Sequence, residues 1–249
     1  MQQKHKQKKK RRYIFTSLIV ISLCVICVYL LFQISKLRSF QFFGTLVDRV
    51  DTTEKVVALT FDDAPTEYTD EVLQTLADKN VKTTFFAIGQ ALEEFPETGK
   101  AIVDAGHEIA NHSYSHQRFL LKSQEFIEYE LKTTDKLIRE TGYKDEIYFR
   151  PPNGKKLFGL PWYLSRNNIT TIMWDVEPDT YNTKTGKAGA DFIVTYTIEH
   201  TRPGSIILLH PFCKNCSSDR EALPAIIDEL RSRGYSFVTV AELLQYNTK

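Results

Sequence analysis

No acidic residue occurs before Asp48, and no charge of either sign falls between positions 13 and 35. Residues 14–32 are nearly all apolar, and about twenty helical residues are enough to cross the hydrocarbon core of a bilayer. Ahead of this run, 7 of the first 12 residues are Lys or Arg. The positive-inside rule then predicts a cytoplasmic N-terminus with the rest of the chain outside. A cleaved signal peptide has a shorter apolar region, about 7–15 residues, closed by a small-x-small site. No such site follows here, where the run passes into Gln33-Ile34-Ser35-Lys36-Leu37-Arg38. The expected organisation is a basic cytoplasmic segment at 1–12, a single-pass signal anchor at 13–35, a stalk at 36–53 and one globular domain at 54–249.

Other absences narrow the domain's chemistry. After the basic start, 25 Lys and Arg face 31 acids, a formal charge of −6. That lacks the clustered positive charge that nucleic acid rewards, so no nucleic-acid partner is expected. The G-x-G-x-x-G of a dinucleotide site is missing. There is no internal repeat, and no low-complexity tract beyond the basic start. Cysteine is scarce, at four. Cys24 and Cys27 lie in the apolar run, as small apolar residues or palmitoylation sites. Cys213 and Cys216 form a C-x-x-C without a second pair, which suits a local disulfide in an oxidising compartment better than a zinc site.

What is present is organised around Val56-Val57-Ala58-Leu59-Thr60-Phe61-Asp62-Asp63-Ala64-Pro65. The apolar, β-branched run reads as a buried strand that ends abruptly in two carboxylates. Asp-Asp-Ala-Pro alone would make a turn. Two adjacent buried acids, however, are costly without a cation nearby.

Downstream, strand-like runs at 55–61, 81–88, 107–110, 147–149, 170–174, 205–209 and 236–240 alternate with helix-like ones. The helices are expected at 70–79, 93–105, 123–140, 161–167, 191–200 and 220–233. The clearest is 123–140, capped by Ser123, with Phe126, Ile127, Leu131, Thr134, Leu137 and Ile138 at helical spacing. Gly234 ends the last helix as a C′ glycine would. About seven βα units imply a parallel sheet, closed or distorted into an α/β barrel.

In such a barrel all C-terminal strand ends open on one face. Gathered there would be Asp62-Asp63, Asn111-His112-Ser113-Tyr114-Ser115-His116, Arg150-Pro151-Pro152-Asn153-Gly154, Trp174-Asp175-Val176-Glu177-Pro178-Asp179 and His210-Pro211. Convergence of so many polar groups is hard to explain as packing. One carboxylate and two imidazoles suit a hydrolytic metal site, and His112 and His116, four apart, can share one ion. Without Asp63 they would read as two surface histidines.

Leu-Thr-Phe-Asp62-Asp63, His112-x-x-x-His116, Arg150-Pro-Pro-x-Gly154 and Leu-Leu-His210, in that order, resemble the motif set of the polysaccharide deacetylases. This is the NodB-homology domain of the carbohydrate esterases, a distorted (β/α) barrel, and the resemblance spans about residues 54–245. It implies a divalent metal, zinc or alternatively cobalt or another ion, on Asp63, His112 and His116. It also implies Asp62 as general base, Arg150 as the group holding Asp62 ionised, and His210 as the acid that protonates the departing amine. A backbone N–H after the Pro-Pro, at Asn153, would help stabilise the oxyanion.

The resemblance departs at two points. Asn153 stands where an aromatic is common, and the Asp-Trp pair that tunes the acid histidine is not literally there. Asp179, or alternatively Asp175, is its nearest counterpart. Trp174 and Tyr181 are candidates to stack on a sugar, although aromatics after a strand often belong to the core. His107 and His200 lack motif context and read as structural.

The expected function is a metal-dependent deacetylase of an extracytoplasmic polysaccharide, first of all peptidoglycan. A chitooligosaccharide deacetylase or an O-acetyl esterase is the alternative substrate reading. A glycan-binding pseudoenzyme, or a redox protein using Cys213 and Cys216, belongs to another class.

Overall fold

The structure is a computed structural model that describes residues 2–178 and 189–248. Helix α1 (Gln2–Ile34) contains a segment, Arg12–Ile34, long and apolar enough to cross a membrane. The barrel follows. Its central strand β2 (Val56–Ala64) is buried along its length except at Asp63, as a parallel strand covered on both faces should be.

On one edge of β2 lies β6 (Ile206–Leu209), paired at Ala58–Phe61. The other edge is shared. β7 (Ser236–Val238) takes Val56–Ala58, and β3 (Thr84–Ala87) takes Thr60–Ala64. β4 (Glu108–Asn111) continues beyond β3. Closure is made by isolated parallel bridges, Asn111 to Phe149, Phe149 to Thr171 and Val176 to Ile207. The expected strands at 147–149 and 170–174 are thus reduced to bridges and the two-residue β5 (Thr171–Ile172). Those short links and the split edge of β2 are the distortion of the barrel.

Alternation along β2 separates two apolar layers. Val57, Leu59 and Phe61 pack outward against α2 (Thr69–Asp78), α7 (Ala190–His200) and α8 (Ser217–Ser232), meeting Leu76, Ile193, Leu223 and Ile227. Val56 and Ala58 face the interior with Phe86, Ala110, Ile206 and Leu208. Thr60 and Asp62 share that interior face, so the barrel lumen leads directly to the first carboxylate.

Two expectations change. The helix expected at 93–105 is two helices, α3 (Gly89–Glu94) and α4 (Pro96–Asp104). Pro96 starts a helix well but forces Phe95 out of the helical region (φ −125°, ψ 58°). The segment 36–53, read as a stalk, is also built into the barrel. Its strand β1 (Leu46–Val47) pairs in parallel with β5, and Val50 N donates to the Gly204 carbonyl at 2.9 Å. α5 (Gln124–Glu140) begins as expected, with Ser123 Oγ accepting from Phe126 N at 3.3 Å. α6 (Gly159–Arg166) and α9 (Val240–Leu244) complete the helices named here. Cys213 and Cys216 form a disulfide.

Candidate active site

Adjacent residues on a regular strand point to opposite faces. Asp62 and Asp63 nevertheless meet the same histidine, and a bulge is the reason. The pairing of β2 with β3 slips between Asp62 and Ala64, and Asp63 takes φ 70°. A bulge with a left-handed residue re-aims its side chain, and Asp tolerates that conformation better than most residues. Asp62 Oδ2 then lies 3.5 Å and Asp63 Oδ1 3.7 Å from His112 Nε2.

His112 and His116 come from the turn after β4. Ser113 (φ 71°) and His116 (φ 55°) are both left-handed, and a buried acid holds this turn. Glu130, on α5, accepts from Tyr114 N at 3.0 Å, Ser115 N at 2.8 Å and Ser115 Oγ at 2.7 Å. Asn111 Oδ1 accepts from Ser113 N at 2.7 Å, and Ser113 Oγ accepts from His116 N at 3.1 Å. His112 Nδ1 donates to the Arg150 carbonyl at 2.8 Å, which leaves Nε2 its lone pair. Burial holds the His112 imidazole below its ordinary pKa, against the pull of Asp62 and Asp63.

Asp63, His112 and His116 offer one ligand atom each, all within 4.8 Å of one another. His116 Nε2 is 3.3 Å from Asp63 Oδ1. That oxygen is buried and makes no hydrogen bond, which is costly for a carboxylate unless a cation satisfies it. One carboxylate and two imidazoles on an open pocket fit a divalent metal of the zinc type.

Asp62 is bound from behind. Arg150 is fully buried and donates from Nη1 to Asp62 Oδ1 at 2.7 Å and to Thr60 Oγ1 at 3.0 Å. Its Nε and Nη2 donate to the carbonyls of Ile172 and Met173, at 3.2 and 3.1 Å. The guanidinium also lies 3.8 Å from the centre of the Phe86 ring. Burial alone would raise the Asp62 pKa, but Arg150, then His112 and His210, hold it below the usual carboxylate range. Oδ1 is thereby engaged, while Oδ2 faces His112 and lies 4.0 Å from His210 Nε2.

These groups line an open pocket of about 550 Å³ with Asn153, Gly154, Lys155, Trp174, Glu177, Lys36 and Arg38. Asn153 is left-handed (φ 55°), a conformation suited to Asn, and its Oδ1 accepts from Arg118 Nε at 3.0 Å. Trp174 is only 5 % exposed, with Arg38 4.9 Å and Arg150 5.4 Å from its ring centre. It forms wall rather than an open stacking platform. Arg38 in turn pairs with the buried Glu177.

Several candidates are placed elsewhere. Asp175 sits at the opposite end of β6, accepting from Ser205 Oγ and Ile206 N, both at 3.0 Å. It therefore does not serve as the partner of His210. His107 Nδ1 accepts from Thr83 N at 3.2 Å, and His200 Nδ1 donates to the Tyr196 carbonyl at 2.8 Å. Both are structural. Asp179 and Tyr181 lie outside the described residues. Sequence reasoning missed Glu130 and Arg38, and it gave no role to Thr60 or to Glu177, although it placed Glu177 at the strand ends. Glu130 left a trace, an acid inside the apolar stripe of Ile127, Leu131, Thr134 and Ile138, where an unpaired charge would not be tolerated.

Residues 49–172 match the polysaccharide deacetylase family. A peptidoglycan-N-acetylglucosamine deacetylase of Bacillus cereus is 33 % identical over 204 residues, covering 82 % of this chain and 94 % of that protein. A peptidoglycan-N-acetylmuramic acid deacetylase of Bacillus subtilis is 31 % identical, covering 81 % and 78 %. The crystal structure of a pseudoenzyme of carbohydrate esterase family 4 from Bacillus anthracis superposes with a TM-score of 0.71 at 31 % identity, covering 81 % and 69 %. Matching motifs, a matching barrel and relatives aligned over most of their length lead to one conclusion: this chain belongs to the polysaccharide deacetylase family.

Proposed function

We propose that the chain is a membrane-anchored, metal-dependent hydrolase that removes N-acetyl groups from peptidoglycan. In this reading α1 is a single-pass anchor with its N-terminus in the cytoplasm and the barrel outside. The observation that carries the chemistry is the Asp62 carboxylate, held by Arg150 through one oxygen and presenting the other beside the Asp63, His112 and His116 cluster.

A divalent ion on that cluster, zinc by preference and cobalt or another by tolerance, would polarise the acetyl carbonyl and acidify water. Asp62 stays ionised because Arg150 holds its pKa down. It is a weak base for the same reason, and suffices only for acidified water. Oδ2 takes the water proton as the new carbon–oxygen bond forms, and the Asn153 N–H helps hold the developing oxyanion. His210, across the pocket, protonates the amine nitrogen as the carbon–nitrogen bond breaks, leaving acetate and a free amine. Asp179 is the candidate to tune His210, and Tyr181 a candidate sugar contact.

The relatives named above act on N-acetylglucosamine in one case and N-acetylmuramic acid in the other, and either sugar of peptidoglycan fits this reading. The pseudoenzyme in the same family makes a purely glycan-binding role the second reading. Retention of Asp62, Asp63, His112, His116 and His210 together disfavours it.

The test is acetate release by the full chain from purified peptidoglycan, from chitooligosaccharides and from an O-acetylated polysaccharide. Release from peptidoglycan, assigned to one sugar by mass spectrometry, is expected. Preference for either other substrate would move the function to it, and metal-loaded protein that binds glycan without releasing acetate would establish the binding role.

A further inference from the structure

The barrel begins where the apolar helix ends. α1 closes at Ile34. One residue later Ser35 is fully buried, and its carbonyl accepts from Lys156 N at 3.0 Å. Lys156 itself is buried and donates from Nζ to the Leu37 carbonyl at 2.6 Å. Lys36 and Arg38 then line the catalytic pocket beside Lys155. No slack separates the span from the domain, because the exit segment is bonded to the loop that carries Asn153 and Gly154.

Next to this exit lies an aromatic surface. Phe40, Phe42, Phe43, Phe158 and Trp162 are each between 37 % and 46 % exposed. Their rings meet in two sets, joined through the adjacent Phe42 and Phe43: Phe40 with Phe42 at 5.2 Å and Phe42 with Phe158 at 4.5 Å, and Phe43 with Trp162 at 5.3 Å between centres. The surface is fixed, not a loose loop. A Cβ on Gly44 would meet Ser165 of α6 at 3.1 Å, and Gln41 Nε2 donates to the Thr45 carbonyl at 3.1 Å. Phe40 is six residues past the end of the span, a reach of at most about 20 Å even fully extended. Contiguous exposed aromatics are unusual on a surface that meets only water; Trp concentrates at the headgroup level of bilayers, and Phe side chains bury at the boundary between headgroups and acyl chains.

We propose that this aromatic surface is seated in the headgroup and upper acyl region of the membrane that α1 crosses. The occupant is lipid, because the surface is continuous with the exit of the span and tethered to it without a spacer. The catalytic pocket, which shares Lys36 and Arg38 with the exit segment, is then held at the membrane surface and works on glycan within reach of it. This inference rests on reading α1 as a membrane anchor, and the experiment separates the two.

The chain has two tryptophans, Trp162 in the aromatic surface and Trp174 in the pocket wall. The full chain carrying Trp174→Phe is reconstituted in phosphatidylethanolamine–phosphatidylglycerol vesicles, and Trp162 emission is compared with and without lipids brominated high on the acyl chain. Vesicle flotation is measured on the same samples. Flotation with at least about twofold quenching of Trp162 supports the seat, since direct lipid contact is the condition for it. A companion carrying Phe43→Glu and Phe158→Glu should lose most of that quenching and still float. With Trp174 restored, it should keep acetate release from a soluble chitooligosaccharide within about twofold, because neither residue touches the pocket. Flotation without quenching overturns the seat and leaves the anchor standing. An emission that responds to protein density in the vesicle but not to brominated lipid overturns it in favour of a second copy on this face. Failure to float overturns the anchor, and the seat with it.

Discussion

Both ends of the barrel bury titratable side chains, yet they behave differently. Where the strands begin, His107 is tied to Thr83 N, Asp175 to Ser205 and Ile206 N, and Glu108 to the Thr84 hydroxyl at 2.7 Å and Ala241 N at 3.1 Å. Each holds a strand or helix end in place. Where the strands finish, Asp62, Asp63, His112, His116 and His210 line one shared pocket, and Asp63 Oδ1 lies within 3.7 Å of both His112 and His116. Perturbed pKa values occur at both ends: burial pushes His107 down to about 4 and raises Glu108 and Asp175. A shifted pKa therefore does not single out the reactive end. Convergence on a shared cavity does.

Substitutions can sharpen that contrast. The largest effect is expected at Asp62. Asp62→Asn should lower acetate release by about 10²- to 10⁴-fold, the usual worth of a general base, while metal stays bound. His112→Ala should lose metal and turnover together. Equal metal loss in both variants would show that the two neighbouring carboxylates have been given the wrong roles.

Glu130 comes next, since it touches no reacting group and acts only through the His112–His116 turn. Glu130→Ala should weaken metal binding by about 10- to 100-fold, as loss of ligand-supporting hydrogen bonds does. Glu130→Gln, which keeps acceptors for Tyr114 N and Ser115 N, should recover part of it. Unchanged metal affinity in the Ala variant would reduce Glu130 to packing.

At the opposite end the readout should be stability rather than chemistry. Asp175→Asn should cost about 1–3 kcal/mol in chemical denaturation, the range for disturbing buried hydrogen bonds, with turnover within about twofold of the parent. A large loss of turnover in correctly folded protein would erase the contrast between the two ends.

The smallest effect concerns acid. His107 titrates at about 4 when folded and near 6.5 when unfolded, so the unfolded chain takes up the proton first. Its contribution is intact above about pH 6.5 and is lost as pH falls toward 4, on the order of 2 kcal/mol between pH 7 and 5. His107→Asn, which keeps an acceptor for Thr83 N, should flatten that part of the stability–pH curve. An unchanged curve would mean that His107 titrates normally.

Much of this was legible in the chain. Strand ends are where polar residues interrupt apolar runs, so Asp62, His112, Arg150 and His210 could be placed on one face before any coordinates. The short-range signals also held, such as Ser123 capping α5. What escaped depends on distant partners. The two residues of β1 pair with β5 more than a hundred positions away, and a two-residue strand has no periodicity to read. Arg38 and Glu177 meet only because the exit segment folds back over the pocket. A stalk was the natural reading of a mixed stretch after a long apolar run, and a truncation at residue 39 would remove one wall of the site. The bulge at Asp63 was equally hidden, because its left-handed backbone is imposed by the slip against β3 rather than by local sequence.

The most direct test of the central claim is metal stoichiometry measured alongside acetate release from peptidoglycan by the full chain. Both would be followed through chelation and re-addition of zinc or cobalt. The expected result is one ion per chain, turnover abolished on its removal, and turnover restored in proportion to the ion rebound at Asp63, His112 and His116. Acetate release that continues undiminished after the ion is removed would contradict the account.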